Sequence, residues 1–208
     1  RKYSKSDFIK MSLMGFLVIY LYYIFLYGSF AVAPAGQVNV ANYLWPVFIV
    51  IFSIPLLKEK FNYKTIIAII LGFIGVFIAL TNGTFSILNS SYLLGYILAG
   101  LGAVCYGLFS VMGKKFEYDK YTSMLIYYIA ALVFITPTSY FVSGFVVPTS
   151  IGTILSIIAL GGVINSIAFV FWFKALKVGD THKMANLIYI VPFVAMVWTY
   201  FLNGEGFS

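Results

Sequence analysis

Long apolar runs dominate the chain, and short polar or glycine- and proline-rich stretches separate them. Seven runs are of the length that crosses a bilayer as a helix, which takes about 20 residues. A backbone in lipid must satisfy its own hydrogen bonds, so each run is predicted to be an α-helix. The predicted helices are 9–30, 36–57, 65–81, 91–113, 121–146, 151–173 and 184–203. The third is the shortest, and its ends are the least sharply marked.

Lysine and arginine are confined to every other flank of these runs. Successive flanks contain 4, 0, 3, 0, 3, 0, 3 and 0 of them, so all 13 cations are predicted to lie on one side of the membrane. The positive-inside rule makes that side cytoplasmic, together with the N-terminal end of this chain. A missed or an extra helix would destroy the alternation, so the charge pattern supports the seven-helix partition.

The composition agrees with an all-α polytopic membrane protein. Of 208 residues, 62% are hydrophobic and 9% are charged, and the mean hydropathy is +1.00. Both values are far from those of soluble domains. The net charge of +7 is attributed to contact with anionic lipid headgroups, and no nucleic-acid partner is predicted. The chain does not open with methionine or a signal peptide, so we expect a piece of a longer protein.

A shift of 146 residues aligns the first two predicted helices with the last two. Seven pairs are identical: Phe25 with Phe171, Val32 with Val178, Tyr43 with Tyr189, Pro46 with Pro192, Leu56 with Leu202, Glu59 with Glu205 and Phe61 with Phe207. The charge pattern makes the two copies run in opposite directions through the membrane. Inverted repeats are typical of secondary transporters, which bind substrate near the bilayer midplane between the repeats. The alternative is a chance likeness between two lipid-compatible sequences.

The segment "VNVANYLWPVFIVIF" at 38–52 carries polar side chains in the middle of a predicted helix. Helical spacing places Asn39, Asn42 or Tyr43, Pro46 and Ser53 on one face. Pro46 is predicted to kink the helix and to free the carbonyl of Asn42. A face this polar is costly against lipid, so it lines a cavity or contacts other helices through hydrogen bonds. The neighbouring Trp45 favours a cavity for an amphipathic solute.

The last predicted helix has a comparable face, with Asn186, Tyr189 and a second proline kink at Pro192. Tyr106 in the fourth helix, and Asn165 and Trp172 in the sixth, are weaker candidates for the same cavity lining. For the aromatic residues, ordinary packing or a position at the membrane interface is an equally open interpretation. The predicted cavity lining is Asn39, Asn42, Tyr43, Trp45, Tyr106, Asn165, Trp172, Asn186 and Tyr189.

Small residues recur at helical spacing in two of the helices and predict close packing between helices in lipid. The two stripes are Gly95, Ala99, Ala103 and Gly107, and Ala68, Gly72, Gly75 and Ala79.

Chemistry-bearing motifs are missing from the sequence. All six acids lie at or beyond the helix ends, so no proton relay is predicted at the midplane. With one histidine, His182, and one cysteine, Cys105, neither a multi-histidine metal site nor an intrachain disulfide is possible. We find no HExxH motif, phosphate-binding loop or nucleophile–base pair. The sequence therefore predicts no enzyme activity, no cofactor and no metal.

Two segments resemble a known family. The stretch "APAGQVNVANYLWPVFIVIFSIPLLKEKFNYKTIIAIILGFIGVFIAL" is similar to EamA-type members of the drug/metabolite transporter superfamily. "LLGYILAGLGAVCYGLFSVMGKK" resembles the helix that opens each repeat in that family. The pentapeptide "NYLWP" at 42–46 is similar to YddG-like aromatic amino-acid exporters.

The resemblance implies ten helices in two inverted units of five, of which this chain contains helices three to nine. Residues 1–83 would then hold the last three helices of the first repeat. Residues 84–208 would hold the second repeat without its last helix. The second copy has "NGEGF" where the first has "KEKF", and it keeps only Tyr189 and Pro192 of "NYLWP". Its half of the cavity is therefore expected to differ.

The resemblance thus implies a secondary transporter or exporter of small amphipathic metabolites, with aromatic or other neutral amino acids as the expected substrates. It would work by alternating access in a bacterial cytoplasmic membrane. A broad-specificity drug or metabolite exporter of the same fold is the nearest alternative. A seven-helix receptor and a structural membrane subunit are alternatives from other classes. No pattern indicates the direction of transport, a coupling ion or an oligomeric state.

Overall fold

The computed structural model describes residues 3–60, 62–81, 90–142, 144 and 147–203. In this part of the chain the regular structure is helical and no strand occurs. Seven helical spans are described: α1 (Lys5–Val32), α2 (Ala35–Leu57), α3 (Tyr63–Thr81), α4 (Leu93–Lys115), α5 (Lys120–Val142), α6 (Ile151–Val178) and α7 (181–203). The seven predicted runs correspond to these helices one by one.

Five of the helices, α1, α2, α4, α5 and α6, are long and apolar enough to cross a membrane. The apolar part of α3, Tyr63–Ile78, is shorter. The all-α polytopic fold class is therefore confirmed. Some ends differ from the prediction because charged residues extend the helices into the flanks. The clearest case is α6, which continues to Val178 and so places Lys174 and Lys177 on its last turns. Residues 143, 145 and 146 of the fifth predicted run lie outside the described residues.

Two helices are interrupted near their middles. In α2, the segment Ala35–Asn42 is separated by a turn from Trp45–Leu57. In α7, the segment Thr181–Leu187 leads through a 3₁₀ turn, Ile188–Ile190, into Val191–Asn203. The shift of 146 residues carries 42–44 onto 188–190, so both interruptions occur at equivalent positions of the proposed repeat.

Proline explains where the second half of each interrupted helix begins. Pro46 and Pro192 are each the second residue of the new helical segment. The first turn of a helix tolerates proline because its backbone N–H groups have no partner inside the helix. Just before Pro46, the Leu44 N–H bonds to the Ala41 carbonyl at 3.2 Å, a tighter turn than the α-helix uses. The prolines thus stand at the start of the second segment, just after each interruption.

Helices α1 and α6 each contain a π-helical stretch, Phe16–Leu21 and Ile158–Ile164. Such stretches are rare and occur often beside functional sites.

Hydrogen bonds bring the four basic flanks together. The Tyr118 hydroxyl donates to Asp7 Oδ1 at 3.1 Å, and the Asp119 N–H donates to the Tyr3 hydroxyl at 3.0 Å. Lys114 Nζ lies 3.3 Å from Glu59 Oε1 and donates to the Gly179 carbonyl at 3.2 Å, which joins the second and fourth flanks to the third. We call this the basic end of the bundle.

The small-residue stripe of α4 is a packing surface, as the sequence indicated. Gly95, Ala99, Ala103 and Gly107 are all buried. A Cβ atom added at Gly107 would lie 2.5 Å from the Phe48 Cβ on α2. Helix α4 therefore packs against α2 with almost no space between the backbones.

Candidate functional site

A cavity of about 410 Å³ lies at mid-depth in the bundle. Small-molecule sites commonly occupy roughly 300–1,000 Å³, so its size suits a small metabolite. Five helices contribute to it, each from near its middle. The lining residues are Tyr22 and Tyr23 from α1, Trp45 from α2, Tyr106 from α4, Asn165, Ala168, Phe169 and Trp172 from α6, and Ile188 and Val191 from α7.

Aromatic rings in contact with one another form most of the wall. The ring centroids of Trp45 and Tyr106 lie 4.6 Å apart, and those of Tyr22 and Tyr106 lie 5.2 Å apart. Trp45 and Trp172 meet edge to face at 5.5 Å. These distances and tilted geometries are the favourable ones for aromatic pairs. The rings therefore hold one another in place and give the cavity a defined shape without a ligand.

A serine hydroxyl orients one of these rings. The Trp172 indole N–H donates to Ser110 Oγ at 3.1 Å, and the Ser110 hydroxyl donates to the Tyr106 carbonyl at 2.9 Å. Ser110 is fully buried on α4. Because the only polar group of Trp172 is thereby satisfied, the ring can present its apolar surface to the cavity.

Four of the nine residues predicted to line a cavity do surround this one: Trp45, Tyr106, Asn165 and Trp172. Sequence reasoning missed Tyr22 and Tyr23 on α1. They belong to the run "YLYYIFLY", in which no amide or proline distinguishes one tyrosine from the next. Only the rotation of α1 against α4 and α6 selects which tyrosines face inward.

Asn42 does not line the cavity but contacts Tyr22, a residue that does. Its Nδ2 donates to the Tyr22 hydroxyl at 3.4 Å, while its Oδ1 is buried without a partner in the described part of the chain. Tyr43 is half-buried and packs in the apolar cluster around Ile49. Asn39 is half-buried one turn earlier, and its carbonyl accepts from the Tyr43 N–H at 2.9 Å. These three residues lie beside the cavity lining and are not part of it.

Tyr189 and Asn186 on α7 also carry buried polar atoms that lack a partner. The Tyr189 side chain is 4% exposed and packs in the same cluster as Tyr43. Among the described residues, its hydroxyl and Asn186 Oδ1 make no hydrogen bond. Buried polar atoms are nearly always paired in folded proteins, so such atoms mark places where a ligand or water would bind.

Tyr189 depends on a glycine that the sequence assigned only to helix packing. A Cβ atom on Gly72 of α3 would collide with the Tyr189 ring. The absence of a side chain at this position therefore lets the Tyr189 ring pack directly against α3.

A second polar cluster lies at the basic end. Glu59 forms an ion pair with Lys114 at 3.3 Å, and its Oε2 lies 3.2 Å from His182 Nε2. Ser53 Oγ lies 3.0 Å from the same histidine nitrogen. Helix α2 ends at Leu57, and Lys58 adopts a left-handed conformation with φ 57° and ψ 32°. This turn directs the chain back, so the Glu59 N–H bonds to the Ser53 carbonyl at 3.4 Å.

A larger groove of about 460 Å³ between α5 and α6 is a different kind of feature. Several of its apolar lining residues are more than half exposed, including Leu125, Ile167 and Phe171. Such a surface suits lipid chains, so we exclude it as the candidate site.

Comparison with known proteins decides the family. The model of the EamA-like transporter family matches residues 1–81 and 93–208, nearly the whole chain. This chain belongs to the EamA-like transporter family. The resemblance to EamA-type drug/metabolite transporters is thereby confirmed. Family membership makes it an integral membrane protein with a small-molecule substrate, and it favours transport over catalysis.

The similar proteins are transporters by name. An uncharacterized transporter of Archaeoglobus fulgidus is 23% identical over 98% of this chain and 71% of its own length. The uncharacterized transporter YxxF of Bacillus subtilis is 24% identical over 94% and 62%. The aromatic amino acid exporter YddG of Ancylobacter novellus is 26% identical over 90% and 64%. The EamA-like chain thus spans 62 to 71% of the length of these relatives.

A solved crystal structure shares the fold of this EamA-like chain. It superposes with a TM-score of 0.81 at 22% identity, over 94% of this chain and 68% of the other.

Proposed function

We propose that this EamA-like protein is a secondary transporter for small amphipathic metabolites that carry an amino group. Amino acids with aromatic or other neutral side chains are the first candidates. The observation that carries this proposal is the cavity at mid-depth, whose ten lining residues include no acid, lysine, arginine or histidine. A site of this kind disfavours an anionic substrate, because no cationic side chain in the lining would compensate its charge.

The chemistry of the wall suits both parts of such a substrate. The rings of Tyr106, Trp45 and Trp172 offer contacts to an apolar or aromatic side chain, and their faces also attract an ammonium group. In the lining itself, the Asn165 side chain offers an amide oxygen and an amide N–H to the polar end of such a substrate. The unpaired polar atoms of Asn42, Asn186 and Tyr189 lie behind the lining, so they would meet a substrate only after the helices shift.

Alternating access is proposed from the repeat geometry. The interruptions of α2 and α7 occupy positions related by the 146-residue shift, and interrupted helices often meet the substrate in transporters. The two segments matched by the family model are separated at 82–92, where the boundary between 1–83 and 84–208 is proposed. On this scheme the chain holds helices three to nine of ten. Rocking of the two repeats would expose the cavity to either side.

Orientation and substrate class have separate support. The concentration of lysine and arginine at one end favours a cytoplasmic basic end in a bacterial inner membrane. A relative named an aromatic amino acid exporter makes aromatic amino acids the first substrates to test and export the first direction. A broad-specificity exporter is the second candidate, since an aromatic wall also accepts apolar solutes without an amino group.

The test uses the full-length gene product in proteoliposomes. Counterflow of labelled phenylalanine, tryptophan, leucine and aromatic amines is compared for the wild type, Trp172→Phe and Trp198→Phe. Trp198 is 65% exposed on α7 and serves as the matched control.

We expect Trp172→Phe alone to weaken transport. Equal rates for both variants would contradict the cavity as the route, and no flux of any amino acid or amine would overturn the proposed substrate class. Preferential flux of aromatic solutes that lack an amino group would favour the broad-specificity exporter.

A further inference from the structure

We propose that the polar cluster at the basic end is a proton-binding latch, in which His182 takes up a proton and thereby ties α7 to α2. The ligand of this site is a proton. The latch lies outside the cavity, and none of its residues lines it. Its members are Ser53 and Glu59 from the end of α2, Lys114 from the last turn of α4, and Thr181 and His182 from the start of α7.

Three helices meet at this point through a continuous set of contacts. Lys114 Nζ donates to Thr181 Oγ1 at 2.6 Å and to the Gly179 carbonyl at 3.2 Å, and it pairs with Glu59. The Thr181 hydroxyl donates to Glu59 Oε1. Glu59 therefore receives hydrogen bonds from both α4 and α7 on one carboxylate oxygen. Its other oxygen, Oε2, is the one that faces His182.

Burial makes the cluster sensitive to charge. Ser53 and Thr181 are fully buried, and His182 is 7% exposed. The side chains of Glu59 and Lys114 are 23% and 21% exposed, so water reaches them only in part. Opposite charges attract more strongly where water is largely excluded. A charge gained or lost on the histidine ring therefore changes the strength of the contact between α2 and α7.

The hydrogen bonds around His182 Nε2 distinguish two protonation states. The Ser53 hydroxyl has one proton and two candidate acceptors, the Val50 carbonyl at 3.0 Å and His182 Nε2 at 3.0 Å. When the ring is protonated, Nε2–H donates to Glu59 and Ser53 donates to Val50. A neutral ring with its proton on Nδ1 accepts from Ser53 at Nε2 and turns a lone pair towards the negative charge of Glu59. A neutral ring with its proton on Nε2 keeps the hydrogen bond to Glu59 but loses the positive charge. In both tautomers proton uptake strengthens the latch, and proton loss weakens it.

The other charged groups near His182 do not take its place as the proton-binding group of the latch. On its own helix, Asp180 accepts from the Lys183 N–H at 3.0 Å, and Lys183 is exposed. Helix α3 also packs against this segment, but its first-turn residues Tyr63 and Lys64 are exposed. On α6, Lys177 is exposed. Across the interface, Glu59 and Lys114 are the charged groups that the described contacts place at the cluster.

Linkage makes the latch relevant to transport. If the closed basic end binds a proton more tightly than the open one, proton uptake favours closure and opening favours proton release. This inference does not depend on the identity of the substrate, because the latch lies outside the cavity.

The experiment measures the distance across the latch in the full-length protein. Spin labels are placed at Lys60→Cys and Lys183→Cys, two exposed positions on α2's C-terminal flank and α7, after other cysteines have been removed. The distance distribution is recorded by pulsed electron resonance at about pH 6 and about pH 8, on either side of the ordinary titration of histidine. We expect a shift to longer distances at the higher pH. A control pair at Lys5→Cys and Tyr121→Cys, between α1 and α5 at the same end, should not shift.

The variant His182→Gln keeps hydrogen-bonding capacity but cannot take up the proton. We expect its distance distribution to be independent of pH over the same range. A wild-type distribution that does not change with pH would overturn the latch, even if the variant fails to fold. A pH shift that persists in His182→Gln would assign the proton to another group and would also overturn it. Because no substrate is added, failure here is separate from failure of the proposed amino-acid transport.

Discussion

The indole nitrogen of Trp172 on α6 bonds to the hydroxyl of Ser110 on α4, 62 positions away in the sequence, at 3.1 Å. Replacing Ser110 with alanine leaves this N–H without an acceptor, which costs about 1–3 kcal/mol when the group is buried. We expect Ser110→Ala to lower thermal stability in detergent and to raise the substrate KM through a displaced Trp172. Thr136→Ala is the control, because among the described residues that hydroxyl bonds within its own helix, to the Leu132 carbonyl at 2.7 Å, and is exposed. Equal KM values for the two variants would argue against a positioning role.

Tyr106 is the ring at which the walls from α1, α2 and α6 meet. It contacts Trp45, Tyr22 and Phe169, with the last pair of centroids 6.1 Å apart. Aromatic pairs contribute about 0.5–1.5 kcal/mol each beyond their buried area. We therefore expect Tyr106→Leu to weaken substrate binding about tenfold or more, whereas Tyr106→Phe keeps the ring and most of the affinity. Scintillation proximity binding of a labelled substrate measures both. Similar losses of substrate affinity in the two variants would show that the aromatic ring of Tyr106 does not account for binding.

Gly72 leaves the space that the Tyr189 ring occupies. Gly72→Ala places a Cβ atom against that ring, and overpacking of this kind costs about 1–3 kcal/mol. We expect a lower melting temperature and reduced transport. Gly75→Ala on the same helix is the matched control, because its Cβ atom would lie 4.0 Å from the nearest heavy atom, the Phe193 Cζ. A larger destabilisation in Gly75→Ala than in Gly72→Ala would contradict the packing described here.

The Glu59–Lys114 ion pair joins α2 to α4. Removal of one partner leaves the other charge partly buried and uncompensated, so we expect Glu59→Gln or Lys114→Met to destabilise the protein by about 1–3 kcal/mol, between the values for surface and buried pairs. The double variant should be less destabilised than the sum of the two. Thermal unfolding of the four proteins gives the coupling energy. Strict additivity would mean that the pair contributes nothing to stability.

Asp119 precedes α5, where its Oδ1 accepts from the Thr122 N–H at 2.9 Å and from the Thr122 hydroxyl at 2.8 Å. These hydrogen bonds favour the charged form and lower the pKa of the Asp119 carboxyl. A lowered pKa in the folded state means that this stabilisation is present above the ordinary aspartate pKa of about 4 and is lost as the pH falls through the lower folded value. We expect unfolding curves of the wild type and Asp119→Asn to differ at neutral pH and to converge in acid. A difference that persists unchanged below pH 3 would contradict this.

The positions and nature of the helices were readable from the sequence, because each depends on local composition. Apolar runs specify spans since lipid cannot satisfy a bare backbone. Proline at 46 and 192 marked where α2 and α7 change, although the sequence did not distinguish a kink from a new helical start. The small residues of α4 identified its packing face, because only residues without bulk allow backbones to approach so closely.

The tertiary structure alone decided which side chains meet. Helical spacing placed Asn42 and Tyr43 on a polar face, but the rotation and tilt of α1 and α6 brought Tyr22, Tyr23 and Phe169 to the cavity. From the sequence, Glu59 belongs to a charged flank beyond the helix end. In the structure, the left-handed turn at Lys58 directs its side chain towards His182. Periodicity specifies which residues share a face of one helix. Which helix that face meets, and at what depth, depends on the combined packing of all the others.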